Sequence, residues 1–186
     1  MPNSRASEPG GGTSMLAPST PPSARVKEKA GPRHFAFHPN GKLVYVVGEL
    51  DASVYVFDYD GATGQLKEKQ SVSALPPDFK GKPSAADLHI TPDGKFLYGS
   101  ERTSSTLTGF KVAPTRGTLS PIGSVPTEKQ PRGFNIDSLG RYVLAVGQLS
   151  HALSSYRIDP DSGKLIKLKK YPMGKNPNWV EIVDFP

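Results

Sequence analysis

The fold is decided by one pattern that the chain repeats, in Pro32–Lys42 (PRHFAFHPNGK), Ala85–Lys95 (AADLHITPDGK) and Pro131–Arg141 (PRGFNIDSLGR). In each copy, two apolar residues alternate with polar ones, and a turn that contains glycine follows. Alternation with a period of two is typical of a strand, and Asn-Gly or Asp-Gly pairs tolerate the positive φ of a hairpin turn. Each copy therefore predicts a strand that ends in a tight turn.

The spacing of glycines extends this pattern into a repeat. The turn glycines are 53 and 46 residues apart, and each is followed 23 residues later by another glycine that precedes a leucine by two. The two sets are Gly41, Gly94, Gly140 and Gly64, Gly117, Gly163. Three equal internal spacings indicate three copies of one structural unit.

Three further strands are predicted in each unit. The second strands are Leu43–Val47, Phe96–Tyr98 and Tyr142–Val146; the third strands are Ser53–Tyr59, Thr106–Val112 and Leu153–Ile158; the fourth strands begin near Leu66, Leu119 and Leu165. Four antiparallel strands per unit of about 45–50 residues are typical of a β-propeller blade. We predict an all-β chain with blades at about 31–84, 85–130 and 131–176, and one inner strand over 177–184.

Composition agrees with many short strands and excludes several classes of protein. The 186 residues include 19 Gly and 19 Pro, which argues against a helix bundle, and no Cys, which excludes disulfides and cysteine-based zinc sites. Residues 1–25 are rich in Pro, Gly and Ser, and we predict a disordered tail before a partial propeller at 26–186. The chain has no apolar run of 18 residues and no signal-peptide core, so we expect a cytoplasmic protein without a membrane partner.

The formal net charge of +6 owes much to lysines near the C-terminus. These lysines are at 164, 167, 169, 170 and 175. The first four alternate with apolar residues, and no aromatic residue of the kind that stacks on bases lies between them. We interpret them as a solvated outer strand and expect no nucleic-acid partner.

Six motifs in order resemble one enzyme family: Gly31–His34, Gly48–Leu50, Ala86–Gly94, Glu101–Thr103, Gln130–Asn135 and Gly147–His151. Together they are similar to the propeller-type 6-phosphogluconolactonases, whose family also contains the carboxymuconate-lactonising enzymes. The resemblance covers about residues 28–184. It implies a seven-bladed propeller of which this chain is similar to the C-terminal half only.

Candidate site residues occur at equivalent positions of the repeat. Arg33 and Arg132 form one pair, and Glu49, Arg102 and Gln148 each lie eight residues after a turn glycine. These positions predict a polar rim at the ends of strands, but the spacing alone does not identify a reaction.

The resemblance implies roles for three of these residues. Glu49 is expected to transfer protons, and Arg33 and Arg102 are expected to hold an anionic group and stabilise an oxyanion. The family's catalytic His is expected upstream, so we expect little activity from the isolated chain. From the residues alone, an ion pair of Glu49 and Arg102 between blades, or a structural Arg33, stays an open alternative.

Further residues are expected to contact the substrate: His34, His89, Arg132, Gln148 and His151. Asp87 and His89 are too few ligands for a zinc site, so we predict neither a metal nor a cofactor. The resemblance implies hydrolysis of a sugar lactone, most simply 6-phosphogluconolactone, with the anionic lactone as the partner molecule. Two alternatives stay open, a muconate cycloisomerase and a non-catalytic propeller fragment or interaction module. Whatever the function, we expect the isolated chain to self-associate through its open blade faces.

Overall fold

A computed structural model describes residues 20–184 of the chain. These residues form twelve strands and no helix. The strands are β1 Pro32–Phe37, β2 Leu43–Gly48, β3 Ser53–Asp60, β4 Gln65–Ser73, β5 Ala85–Ile90, β6 Phe96–Glu101, β7 Thr106–Val112, β8 Leu119–Pro126, β9 Pro131–Ile136, β10 Tyr142–Gly147, β11 Ala152–Ile158 and β12 Leu165–Pro172.

The strands pair in chain order into three antiparallel four-stranded sheets. We call them blade 1 (β1–β4), blade 2 (β5–β8) and blade 3 (β9–β12). The prediction of an all-β chain with three blades is confirmed. It succeeded because the glycine turns join neighbouring strands, so that sequence order and sheet order coincide.

The expected inner strand over 177–184 is not formed. This segment instead runs beside β9, where the side-chain amide of Asn135 donates a hydrogen bond to the carbonyl of Val180 at 3.4 Å. A Cβ atom built on Gly133 would lie 2.7 Å from the carbonyl oxygen of Asn178. A strand needs a hydrogen-bonded neighbour in its own sheet, and within residues 20–184 the segment has none.

Most of the predicted N-terminal tail lies outside the described residues, which begin at residue 20. The described part runs along blade 1. The Gln65 side chain donates a hydrogen bond to the carbonyl of Thr20 at 2.8 Å, and Val26 packs against a cluster that contains Val44 and Phe57. Residues 20–26 therefore cover part of one face of blade 1.

The apolar core lies between the blades. Alternation along each strand sends every second side chain to one face of the sheet, so the middle blade contributes to two separate clusters. Between blades 1 and 2 the cluster includes Tyr45, Val54, Leu88, Leu97 and Phe110; between blades 2 and 3 it includes Tyr98, Leu107, Phe134, Val143 and Tyr156. Packing against a neighbouring blade therefore removes these apolar faces from water, which stabilises both blades.

Two equivalent tyrosines connect each blade to the next. The hydroxyl of Tyr45 in blade 1 donates to the carbonyl of Gly117 in blade 2 at 3.0 Å, and Tyr98 in blade 2 donates to Gly163 in blade 3 at 2.7 Å. Burial raises the pKa of both phenols above the ordinary value, so the hydroxyls remain donors. These bonds satisfy polar groups that the packing of the blades would otherwise bury unpaired.

One face of blade 1 has no neighbouring blade among the described residues. Phe35 and Phe37 on β1 are 63% and 48% exposed. The residues at the position of Phe35 in the other repeats, Leu88 and Phe134, are 3% and 1% exposed. Phe35 and Phe37 are therefore exposed because no blade packs on this face among the described residues, and not because the sequence pattern differs.

The second glycine of each repeat is required for two reasons. Gly117 and Gly163 have φ near +70°, and a Cβ atom at either would overlap a side chain of the preceding blade, Leu43 or Phe96. Gly64 has the same backbone conformation, with φ of 72°, but a Cβ atom there would meet no atom within 4 Å. The close approach therefore comes from the neighbouring blade and the positive φ from the turn itself.

This pair of glycines gives a matched test of packing between blades. We expect Gly64→Ala to lower the free energy of unfolding by about 1–2 kcal/mol, the cost of a left-handed backbone at a residue with a Cβ. Gly163→Ala adds the overlap with Phe96 and should cost about 1–3 kcal/mol more. Urea unfolding followed by circular dichroism measures both, and equal losses would contradict the packing between blades 2 and 3.

Candidate active site

Each inner strand contains a β-bulge at the same position, and the candidate residues lie on these bulges. The register of β1 shifts at Arg33, that of β5 at Ala86 and Asp87, and that of β9 at Arg132. A bulge inserts one extra residue and redirects the side chains around it. Arg33 and His34 are consecutive residues, so regular pleating would send their side chains to opposite faces of the sheet. Because of the bulge, both side chains instead contact residues of the site.

Glu49 is the centre of an ion cluster between blades 1 and 2. It follows β2, and its two carboxylate oxygens contact two different guanidinium groups. Oε2 lies 3.4 Å from Nε of Arg33, and Oε1 accepts a short hydrogen bond from Nη2 of Arg102. The structure thus brings together the three residues expected to carry the chemistry, and the ion pair of Glu49 and Arg102 does connect two blades.

Backbone carbonyls hold both arginines in place. Arg33 donates from Nη1 to the carbonyl of Ala86 at 2.5 Å, and Arg102 donates from Nε to the carbonyl of Ser84 at 3.1 Å. Burial, followed by the charge of Arg102, lowers the pKa of Arg33 from its ordinary value. The guanidinium remains a cation because the ordinary pKa of arginine lies far above neutrality. The result is a pair of oriented cations around one carboxylate.

Asp87 forms a second polar cluster beside the first. Its side chain is 2% exposed. Oδ1 lies 2.9 Å from Nδ1 of His34, and Oδ2 lies 3.2 Å from Nε2 of His89. The backbone N–H groups of Leu88 and Phe134 also donate to it, at 3.0 and 3.2 Å. One carboxylate therefore joins groups from blades 1, 2 and 3.

These donors decide the charge of Asp87. Burial is the largest effect and opposes ionisation, but the hydrogen bond and charge of His89, together with the N–H of Phe134 and the charge of His34, outweigh it. The pKa of Asp87 is consequently held below its ordinary value. Asp87 is a buried carboxylate that stays ionised because its acceptor positions are filled.

The other expected substrate contacts divide into two groups. Arg132 is exposed on the bulge of β9, and its charge is among the causes that lower the pKa of Arg33. Gln148 and His151 contact Asn176 instead: Gln148 donates to its side-chain oxygen at 2.9 Å, and Nδ1 of His151 accepts from its N–H at 3.1 Å. Their described contacts hold the chain after blade 3 and do not reach Glu49.

Sequence reasoning treated Asp87 only as a partner of His89 and missed its role between blades. The sequence did contain a sign of this role. When the three repeats are aligned, Asp87 takes the position of His34 and Gly133, directly before the apolar residue that begins the core pattern of each inner strand. Within residues 20–184, no group of three or more His, Asp and Glu side chains has an arrangement that could hold a metal ion.

The cluster has the components that hydrolysis of an ester requires. Arg33 and Arg102 are fixed donors that can stabilise a developing oxyanion or hold an anionic group. Glu49 and His34 carry side chains of the kinds that act as general acids and bases in enzymes. Cations and proton-exchanging groups thus lie together on adjoining strands of two blades.

Comparisons with known proteins agree on one family. The family model described as lactonase, 7-bladed beta-propeller, matches residues 9–182, and so begins within the predicted tail. A 6-phosphogluconolactonase of Serratia proteamaculans is 49% identical over 168 residues, which are 90% of this chain and 51% of that protein. One from Pectobacterium carotovorum is 47% identical over 83% of this chain and 46% of its own length. The chain spans about half the length of the curated relatives that it matches.

Solved structures show the same architecture. A protein from Bacteroides fragilis superposes with a TM-score of 0.84 at 32% identity, covering 92% of this chain and 47% of that one. The periplasmic gluconolactonase PpgL of Pseudomonas aeruginosa gives a TM-score of 0.79 at 32% identity, covering 85% of this chain and 44% of its own. No helix in residues 20–184 is long and apolar enough to cross a membrane.

The ionised Asp87 predicts a loss of stability in acid. Its pKa is lower in the folded chain than in the unfolded one, so its contribution is fully present above the unfolded value of about 3.9 and is lost as the pH falls through the folded value. We expect the melting temperature to fall more steeply below about pH 4 in the wild type than in Asp87→Asn. The comparison needs both proteins because other carboxyl groups whose pKa is lowered, including that of Glu128, also make the fold sensitive to acid. Parallel pH profiles of the two melting temperatures would contradict the prediction.

Proposed function

The chain belongs to the lactonase family of seven-bladed β-propellers, and we propose that it contributes Arg33, Glu49 and Arg102 to a site that hydrolyses 6-phosphogluconolactone to 6-phosphogluconate. The observation that carries this proposal is the cluster in which one carboxylate contacts two guanidiniums held by backbone carbonyls. The names of the curated relatives support this substrate over a muconate.

The reaction needs two proton transfers and one stabilised charge. A water oxygen attacks the lactone carbonyl carbon while Glu49 takes a proton from that water. The carbonyl oxygen becomes an oxyanion, which a guanidinium of the cluster stabilises. When the tetrahedral intermediate collapses, the bond from that carbon to the ring oxygen breaks, and the ring oxygen takes up a proton to become a hydroxyl.

Arginines at the site also suit a phosphorylated substrate. Guanidinium groups make paired hydrogen bonds to phosphate oxygens, and Arg132 provides a third cation whose charge reaches Arg33. Arg33 and Arg102 are largely satisfied by Glu49 and by carbonyls, whereas Arg132 is exposed. Arg132 is therefore our choice for the phosphate contact. The cytoplasm, where sugar phosphates are metabolised, stays the predicted compartment.

The test measures hydrolysis of freshly prepared 6-phosphogluconolactone, unphosphorylated gluconolactone and a muconolactone. The chain is assayed alone and as a chimera in which it replaces the matching half of the Serratia relative, because it spans half of that protein. We expect the chimera to hydrolyse the phosphorylated lactone fastest and the chain alone to be much slower. A chimera that folds but acts only on the muconolactone would overturn the proposal.

Substitution of Glu49 separates proton transfer from binding. We expect Glu49→Gln in the chimera to lower kcat by about 10²–10⁴-fold, because the amide cannot take the proton of the attacking water. KM should change little, since the amide oxygen still accepts a hydrogen bond from one guanidinium. Initial rates over a range of lactone concentrations give both constants, and normal turnover would exclude Glu49 as the proton acceptor.

Substitution of arginine tests the proposed phosphate contact. Arg132→Ala should raise KM for the phosphorylated lactone by about tenfold or more and leave KM for the unphosphorylated lactone nearly unchanged. Arg132→Lys serves as the matched control, because it keeps the charge without the planar pair of donors. Equal effects on the two lactones would show that Arg132 does not contact the phosphate.

A further inference from the structure

The buried carboxylate of Asp87 determines which nitrogen of His34 carries a proton. An ionised carboxylate only accepts hydrogen bonds, so the imidazole nitrogen that faces it must be the protonated one. That nitrogen is Nδ1 of His34, 2.9 Å from Oδ1 of Asp87. In the neutral ring the lone pair is consequently on Nε2, which has no hydrogen-bond partner among residues 20–184.

His34 lies beside the ion cluster, because it is next to Arg33 in the chain and its partner Asp87 is close enough to act on the charge of Arg33. His34 directly follows Arg33 at the bulge of β1, and its ring is 32% exposed, so water and small molecules can reach it. Both oxygens of Glu49 already contact guanidiniums. His34 is thus a second group able to exchange a proton. It differs from Glu49 because one of its polar atoms, Nε2, has no hydrogen-bond partner among residues 20–184.

We propose that Asp87 is a positioning residue that holds His34 with Nε2 free, and that His34 delivers through this atom the proton that the leaving ring oxygen needs. The inference rests on the proposed lactonase reaction and adds the acid that the mechanism lacks. His89 is a weaker candidate for this role. Its Nε2 contacts Asp87, and its ring packs edge-on against Phe134 with the ring centres 4.8 Å apart. Unlike His34, it is not next to Arg33 in the chain.

The proton balance is complete without another reactant. Glu49 takes a proton from the attacking water, and the cationic His34 gives its Nε2 proton to the ring oxygen as the ester C–O bond breaks. Glu49 then releases its proton to solvent, and His34 takes one up. The net reaction consumes one water and yields the hydroxy acid, which ionises at neutral pH.

Several charged and titratable groups lie on the strand of His34 and on the neighbouring strands. Asp87 and His89 lie on β5, Arg33 on β1, Glu49 after β2, Arg102 after β6 and Arg132 on β9. The carboxylate of Asp87 contacts the ring of His34 directly, as the aspartate contacts the histidine of a serine-protease triad. Asp87 is therefore the group to substitute, because its described contact is with the ring of His34 itself.

The first experiment needs no enzymatic activity. Nitrogen-15 histidine spectra of the full chain distinguish the two neutral tautomers, and His34→Gln identifies the signals of His34. We expect His34 to be protonated on Nδ1 in the wild type. In Asp87→Asn the amide offers an NH₂ group to one of its two imidazole partners, so His34 or His89 must change tautomer. His38→Gln, in the turn after β1, is the control and should leave the spectrum of His34 unchanged, because no described contact joins His38 to His34 or Asp87.

The second experiment measures the pH dependence of lactone hydrolysis for the same variants in the chimera. If His34 is the acid, the rate falls on the alkaline side as imidazole loses its proton. His34→Gln should abolish this limb and lower kcat by about 10²-fold or more, and Asp87→Asn, which removes the carboxylate that contacts the ring, should change the position of the limb. His38→Gln should keep the wild-type profile.

The outcomes separate the inference from the proposed function. A wild-type His34 protonated on Nε2, or an alkaline limb that persists in His34→Gln, overturns the inference. Should Asp87→Asn fail to fold, His34→Gln decides the acid role alone, because it leaves the other three donors to Asp87 in place. A chimera that hydrolyses no lactone refutes the proposed function and the acid role with it, whereas the spectrum still decides whether Asp87 sets the tautomer.

Discussion

No blade of this protein can bury either of its own faces, and the rest of the structure depends on that constraint. Alternation sends Tyr45 to one side of blade 1 and Val44 to the other, so both faces are apolar and each needs a neighbour. Blade 2 has two neighbours, and Tyr98 and Phe110 on its opposite faces are both fully buried. The contact between blades is therefore the unit of stability, as it is in other repeat proteins.

The candidate site uses the same contacts for its chemistry. Glu49 comes from blade 1 and Arg102 from blade 2, so the ion cluster forms only when the two blades pack. Buried or half-buried charges are costly unless their partners are fixed, and here the guanidiniums are also held by carbonyls of β5 and of the segment before it. The packing that covers apolar faces thus also orients the polar groups.

The sequence was sufficient for features that recur with the repeat. Spacing of glycines predicted all three blades, and the shared position of Glu49 and Arg102 predicted that they lie at matching strand ends, because equal distances along equivalent hairpins lead to equivalent places. It was insufficient where the outcome depends on a partner or on one inserted residue. A fourth start of the repeat over 177–184 predicted a strand, but pairing needs a neighbouring strand that the repeat pattern alone does not provide. The bulge at Asp87 shifts the register by one residue. No residue type in β5 predicts a bulge at that position.

The carboxylate of Asp87 has a consequence for how such rings can evolve. It accepts hydrogen bonds from His34 of the preceding blade and from Phe134 of the following one, so three successive inner strands must keep their mutual rotation. Duplicating or deleting a blade changes that rotation throughout a closed ring. Within this family, a change in the number of blades would break a polar junction as well as repack apolar faces. Selection on the site therefore also restrains the symmetry of the whole ring.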